Sequence, residues 1–268
     1  MSNLAKRLIT SGVALPVILA VLIFAPGKGM LLLVLGSIGV GCYEVALVAM
    51  PKAEPWRRAA MAALGLLAAS AVYTMSIRPL VGLSLLALLV MASIASHLGS
   101  PRGFETALRE ASLSLLVALW IGGLLAFLAL VTARPDGSRW GALLFGCAFV
   151  GDSAAYFIGR AWGRTRLAPI VSPNKTWEGA IAGLAGTMAF VAVAKVTFLP
   201  ALSFGDPILL GLPAAVLCQT GDLAESMLKR AFGAKDASGL MPGHGGLLDR
   251  LDSLLFLSPL IYLFTYIR

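Results

Sequence analysis

Residues 112–133 read SLSLLVALWIGGLLAFLALVTA, a run of 22 residues without one charged side chain. A helical run of about 20 apolar residues spans the hydrocarbon core of a bilayer. This run therefore predicts a transmembrane helix. Eight more windows of similar length and character occur along the chain, at residues 8–25, 30–50, 59–77, 80–98, 140–159, 179–199, 206–228 and 248–267.

The composition of the whole chain favours the same class of protein. Hydrophobic residues make up 59% of the 268 residues, charged residues make up 13%, and the mean hydropathy is +0.89. A soluble domain averages about 45–50% apolar and about 25% charged residues. Disordered, collagen-like and disulfide-rich classes are excluded, because apolar content is high, glycines follow no triplet period and only three cysteines occur. We predict an all-α, polytopic integral membrane helical bundle with about nine transmembrane helices and buried free thiols.

Lysine and arginine are spread unevenly over the predicted loops. If the N-terminus is cytoplasmic, the cytoplasmic segments carry 15 of these residues and the opposite side carries six. Cytoplasmic loops of membrane proteins are enriched in Lys and Arg, so we predict this orientation. The net charge of +8 then faces anionic headgroups, and no exposed domain remains to bind nucleic acid. We expect a multi-pass protein of the inner (cytoplasmic) membrane, with an uncleaved first span rather than a signal peptide.

The two halves of the chain differ in character. Residues 1–139 read as ordinary apolar helices, for which we predict scaffold, lipid-access and dimer-contact roles. Residues 140–268 carry the predicted catalytic helices, because charged side chains interrupt their apolar windows. Such charges are costly inside a membrane and mark functional sites. The charges concerned are Asp152 in the sixth window, Asp222 and Glu225 in the eighth, and Asp249, Arg250 and Asp252 at the start of the ninth.

The spacing of the acids predicts one carboxylate cluster. Asp222 and Glu225 are three residues apart and share a helical face, as do Asp249 and Asp252, and Asp152 comes from a third helix. Clustered carboxylates repel one another unless a cation neutralises them, and oxygen ligands favour Mg²⁺. We predict that Asp222, Asp249, Asp252 and Asp152 hold Mg²⁺, with a second cation as an option. A metal-free network of these acids with neighbouring Lys and Arg is the alternative.

Two polar segments beside the acids predict anion binding. Residues 235–246 read KDASGLMPGHGG, and their glycines let backbone N–H groups approach an anion closely. Residues 172–179 read SPNKTWEG, and both segments lead into a predicted helix N-terminus, which favours negative charge. His244 is either a phosphate contact or a simple hydrogen-bonding loop residue. The predicted phosphate contacts are Ser172, Lys175, Thr176, Lys229, Arg230, Lys235, Gly243, His244, Gly245, Gly246 and Arg250.

One long motif resembles a known family. Residues 226–252 read SMLKRAFGAKDASGLMPGHGGLLDRLD and resemble the signature of phosphatidate cytidylyltransferases. Met241 departs mildly from it, since the family usually has Leu, Ile or Phe there. Residues 151–160 (GDSAAYFIGR), 172–179 and 221–226 (GDLAES) are similar to the same family. Residues 140–255 carry nearly all of this resemblance.

The resemblance implies a reaction and its partners. A phosphatidate cytidylyltransferase makes CDP-diacylglycerol and pyrophosphate from CTP and phosphatidate, requires Mg²⁺, has an all-helical membrane fold and forms a homodimer. Both substrates are polyanions, so catalysis consists mainly of neutralisation and positioning. The active site is expected at the cytoplasmic face, where CTP arrives from water and the lipid from the bilayer.

Two alternatives use the same features differently. A CTP-dependent polyprenol or phytol kinase would release CDP instead of pyrophosphate. A membrane transporter, which belongs to a different class, also carries intramembrane acids and Gly-interrupted helices. Against a transporter, the charges gather at one face and the halves show no inverted repeat.

Overall fold

A computed structural model describes residues 3–234, 238 and 245–268. Within these residues, a helical segment lies in each of the nine predicted windows, and six of the helical segments are long and apolar enough to cross a membrane. The prediction of an all-helical membrane bundle is confirmed, and its orientation stays a prediction. The helices are α1 (Asn3–Phe24), α2 (Lys28–Ala49), α3 (Pro55–Met75), α4 (Pro79–Ala95), α5 (Phe104–Val117), α6 (Leu124–Thr132), α7 (Gly137–Trp162), α8 (Trp177–Thr197), α9 (Asp206–Leu209), α10 (Gly211–Ala231) and α11 (Asp252–Ile267).

Two pairs of these helices form single membrane-length segments. Helices α5 and α6 are joined by the π-helical turn Ala118–Gly123 and run continuously over Phe104–Thr132. Helices α9 and α10 together make the segment Asp206–Ala231. In the π-helical turn, a Cβ atom on Gly122 would lie 2.1 Å from the carbonyl oxygen of Gly65. Glycine at this position therefore lets α3 and the turn pack backbone against backbone, as small residues do in membrane bundles.

One short β-hairpin interrupts the helical architecture between α7 and α8. Strand β1 (Arg166–Ala168) pairs in antiparallel fashion with β2 (Ser172–Thr176). The prediction of a loop over residues 172–179 is therefore corrected, because the first five residues form a strand and the rest begin α8. The Thr176 hydroxyl accepts a hydrogen bond from the Gly179 N–H at 3.2 Å and so caps α8.

The second half of the chain forms a compact group of helices. Helix α7 packs along α8, α10 contacts both α8 and α11, and α11 also contacts α6 and α7. A Cβ atom on Gly221 would lie 2.4 Å from the Asp252 carbonyl oxygen, so α10 and α11 cross in close contact. This crossing brings the acidic part of α10 beside the start of α11.

The apolar side chains occupy both the interior and the outer surface. Cys42, Cys147 and Cys218 are buried free thiols, as predicted. Large apolar side chains such as Leu80 and Phe104 are 80% and 93% exposed. Such an outer surface suits a multi-pass protein whose helices face lipid.

Candidate active site

A cavity of about 810 Å³ lies between α7, the hairpin, α8, α10 and the residues before α11. All of the lining segments belong to the second half of the chain, where the sequence concentrates its charges. The ten charged residues that line the cavity, five acidic and five basic, are Asp152, Arg160, Arg166, Lys175, Asp222, Glu225, Lys229, Asp249, Arg250 and Asp252.

Lys229 lies between two acids at the inner end of this charged set. Its Nζ is 2.6 Å from Glu225 Oε2, one turn earlier on α10, and 2.5 Å from Asp249 Oδ1. The exposed fractions of the Lys229, Glu225 and Asp249 side chains are 13%, 1% and 9%. Buried ions are tolerated only when they are paired, so these three side chains depend on one another.

Lys175 and Asp222 form a second pair nearer to solvent. The two side chains meet at 2.5 Å and are 24% and 33% exposed. Lys175 comes from strand β2 and Asp222 from α10, so the hairpin is tied to the helix across the cavity. Being more hydrated, this pair is easier to separate than the Lys229 cluster.

Asp152 and Asp252 line the cavity beside Asp222. The hydroxyl of Ser253 reaches Asp152 Oδ2 at 3.5 Å, and the backbone N–H of Ser253 donates to Asp252 Oδ1 at 2.7 Å. Asp152, Asp222 and Asp252 lie near enough for their negative charges to repel one another. The cavity therefore holds a local excess of carboxylate oxygens in which a cation would be favourable.

These carboxylates suit a cation that is shared with a ligand rather than one held by protein alone. In the part of the chain that the structure describes, no group of three His, Cys, Asp or Glu side chains is placed to hold a metal ion. Mg²⁺ commonly binds one or two carboxylates and completes its coordination with substrate phosphates and water. The donor set fits Mg²⁺ in that form.

Asp249 lies in a tight turn, not in the first turn of α11. The ninth window was expected to be helical from residue 248, but α11 begins at Asp252 and the 3-10 turn Leu248–Arg250 precedes it. The Gly246 N–H donates to Asp249 Oδ2 at 2.7 Å. Burial raises the pKa of Asp249, but the hydrogen bonds from Lys229 and Gly246 outweigh it and hold the pKa below its ordinary value of 3.8.

Some predicted site residues lie away from the cavity wall. Arg230 is exposed and donates to the Ala234 carbonyl oxygen at 3.3 Å, so it closes the end of α10. Thr176 lines the cavity, but its hydroxyl caps α8. The lining of the cavity does not include Ser172, Gly245 or Gly246. Lys235, Gly243 and His244 lie outside the described residues, and their roles stay predictions.

The structure also adds residues that the sequence reasoning left out. Arg160 and Arg166 line the cavity, and Arg160 donates to the Tyr156 hydroxyl at 2.8 Å. Glu44, near the C-terminal end of α2, accepts hydrogen bonds from the N–H groups of Leu247 and Leu248. A signal for Glu44 was available, because it is the one charged residue in window 30–50.

Similar proteins from several bacteria share one name. A phosphatidate cytidylyltransferase of Brucella suis is 48% identical over 132 residues, which are 49% of this chain and 48% of that protein. Proteins of the same name from Haemophilus influenzae and Mycobacterium leprae are 45% and 39% identical over 119 and 149 residues. These matches cover 43% and 55% of this chain, and 41% and 47% of the relatives. The chain thus spans about half the length of the curated relatives it matches.

The family model covers far more of the chain than these pairwise matches do. The model described as the cytidylyltransferase family matches residues 5–268. It therefore includes both the apolar first half and the charged cavity of the second half. On this match the chain belongs to the cytidylyltransferase family.

Proposed function

We propose that this protein transfers the cytidylyl group of CTP to phosphatidate, forming CDP-diacylglycerol and pyrophosphate. The observation that carries the proposal is the pair of lysine–carboxylate contacts in one cavity, Lys175 with Asp222 and Lys229 with Asp249. A nucleotide accompanied by Mg²⁺ brings anions for the lysines and a cation for the carboxylates. Binding then replaces each ion pair without leaving a charge unpaired.

In this proposal the two pairs have different tasks. The Lys175–Asp222 pair is partly exposed and would open first, so that Lys175 could contact a substrate phosphate. Asp222 and Asp249 would then hold Mg²⁺, and Asp252 and Asp152 line the same cavity for a second cation. When bound, Mg²⁺ supplies positive charge that stabilises the charge developing on the phosphates. Lys229 and Asp249 form the deeper part of the same wall.

The transfer itself requires little covalent chemistry from the protein. A phosphate oxygen of phosphatidate attacks the α-phosphorus of CTP, and the bond between that phosphorus and the bridging oxygen to the β-phosphate breaks, releasing pyrophosphate. A phosphate monoester is largely ionised near neutral pH, so no side chain has to remove a proton. Arg160, Arg166 and Arg250 line the cavity and would help to orient the phosphates.

The same proposal includes the location of the site in the membrane and the partners of the protein. The helices suit a multi-pass membrane protein, and we place the cavity at the cytoplasmic face of the inner membrane because the Lys and Arg bias favours that orientation. CTP would enter from water and phosphatidate from the bilayer. A homodimer, no nucleic-acid partner and Mg²⁺ as the required cation complete the proposal.

The proposal is tested with the purified chain in detergent, supplied with CTP, phosphatidate and Mg²⁺. We expect formation of CDP-diacylglycerol, and a loss of about 10²–10³-fold in rate in Asp222→Asn, because the negative charge that would hold Mg²⁺ beside the reacting phosphates is removed. Asp136→Asn is the matched control, since Asp136 is an exposed acid paired with Arg139 outside the cavity. Equal rates in the two variants would contradict the assignment of Asp222.

A further inference from the structure

Glu44 is a buried acid from the first half of the chain that reaches the second half. Its side chain is on α2 and the residue is 2% exposed. Its Oε1 accepts from the Leu247 N–H and its Oε2 from the Leu248 N–H, both at 3.0 Å. The hydroxyl of Ser238 donates to the same carboxylate.

These contacts hold the turn that carries Asp249. The N–H groups of Leu247 and Leu248 lie at the start of the 3-10 turn Leu248–Arg250, where N–H groups have no partner within the turn itself. A carboxylate can accept from two such N–H groups at once, one on each oxygen. Glu44 therefore caps this turn from another helix.

Glu44 accepts hydrogen bonds from two residues that are well separated in the sequence. Ser238 and Leu247 lie on either side of residues 239–244 in the sequence, and both donate to Glu44. On the far side of the turn, Asp249 contacts Gly246 and Lys229. Glu44 and Lys229 thus bracket the turn, one through its backbone and the other through its carboxylate.

We propose that Glu44 is a positioning residue for the cavity, one that sets the place of Asp249 by capping the turn before α11. The part of this inference that concerns turnover rests on the proposed function, whereas the part that concerns the turn does not. Glu44 lies outside the lining of the cavity, so it acts through the turn and not on the substrates. A displacement of about 1 Å in such a turn is enough to cost about 10²-fold in rate.

The test compares Glu44→Gln with Glu110→Gln. Glu110 is also a buried acid, 8% exposed, and its two oxygens accept from Arg102 at 2.6 Å and 2.8 Å, away from the cavity. Both changes preserve side-chain size and replace one carboxyl oxygen by an NH2 group. Amide hydrogen exchange over residues 245–251, in the metal-free and substrate-free protein in detergent, reports on the turn directly. Steady-state rates measured at a series of Mg²⁺ concentrations report on how the turn affects turnover.

In Glu44→Gln we expect exchange at the Leu247 and Leu248 amides to become about tenfold faster, because an NH2 group, which cannot accept, replaces one of the two oxygens that accept from these N–H groups. We expect kcat to fall about 10- to 100-fold, with a higher Mg²⁺ requirement and a KM for CTP within about threefold of wild type. In Glu110→Gln the exchange of this segment and the Mg²⁺ requirement should match the wild type. Ser238→Ala, which removes a single donor to Glu44, should shift exchange in the same direction by a smaller factor.

Two results would overturn the inference. One is a folded Glu44→Gln protein whose exchange over residues 245–251 and Mg²⁺ requirement equal those of wild type. The other is a Glu44→Gln protein that does not fold, together with a Ser238→Ala protein indistinguishable from wild type, since Glu44 would then be a general structural residue. If the wild type makes no CDP-diacylglycerol but Glu44→Gln still speeds exchange, the proposed function fails and the capping role stands.

Discussion

Replacement of Lys229 by methionine should destabilise the protein strongly, whereas the same replacement of Lys175 should not. Lys229 is the shared partner of Glu225 and Asp249, and all three side chains are at most 13% exposed. Lys229→Met removes the buried cation that Glu225 and Asp249 share. Breaking a buried pair in this way costs about 3–5 kcal/mol.

The expected losses of melting temperature differ clearly between the two variants. With about 2–4 °C of melting temperature per kcal/mol for a chain of this size, Lys229→Met should lower Tm by roughly 6–20 °C. The Lys175–Asp222 pair is 24% and 33% exposed, so solvent screening reduces its contribution to about 0–1 kcal/mol. Lys175→Met should therefore lower Tm by less than about 4 °C while still impairing turnover.

The assay is thermal unfolding of both variants in the same detergent without substrate or metal, followed by rates of CDP-diacylglycerol formation. A double variant, Lys229→Met with Glu225→Gln, should recover part of the lost Tm, because one unpaired carboxylate is removed. Equal Tm losses for the two single variants, or a Lys229→Met protein as stable as wild type, would refute the reasoning from burial and pairing.

Three further predictions concern topology, pH and packing. Accessibility labelling should place the two ends of this chain on opposite sides of the membrane, and labelling of both from one side would mean that the number of spans is wrong. The Tm difference between wild type and Asp249→Asn should shrink as pH falls below about 4. The folded-state pKa of Asp249 is lowered, so its carboxylate stabilises the fold at pH values above its ordinary pKa, and that stabilisation is lost as pH falls through the folded-state pKa. A difference that grows in acid would contradict this assignment. Gly221→Ala should cost about 1–3 kcal/mol, since its Cβ meets the Asp252 carbonyl oxygen, whereas Gly36→Ala, with open space around it, should be far milder. Comparable losses of Tm would argue against a close crossing of α10 and α11.

The helical bundle could be predicted from sequence because bilayer thickness imposes one length on every span. Each of the nine apolar windows contains a helical segment, and Asp222, Asp249 and Asp252 line one cavity. The shared helical face predicted for Asp249 and Asp252 is wrong, because Asp249 lies in a separate 3-10 turn before α11. The start of the ninth helix was placed four residues early. The hydropathy of residues 248–251 does not reveal that Glu44, some 200 positions away in the sequence, caps a separate turn there.

The details of the cavity depend on contacts that periodicity does not encode. Lys175 was predicted as a phosphate contact, and the structure pairs it with Asp222 through a hairpin that residues 172–176 form with residues 166–168. So short a strand, containing Pro173, gives no alternation to recognise. The sequence is compatible both with a metal site and with a metal-free ion-pair network. In the structure, Asp222 and Asp249 are paired with lysines. In the proposed function, substrate phosphates take over the lysines, and the carboxylates can then bind a cation.

The most direct test of the proposed chemistry follows the label of CTP into the products. The purified chain is given phosphatidate and CTP that carries labelled phosphorus in either the α or the γ position. We predict that α-label appears in a liponucleotide and γ-label in pyrophosphate, because attack at the α-phosphorus releases the two outer phosphates together. γ-Label in the lipid with release of CDP would identify a lipid kinase instead, and the absence of any transfer from CTP to lipid would contradict the account.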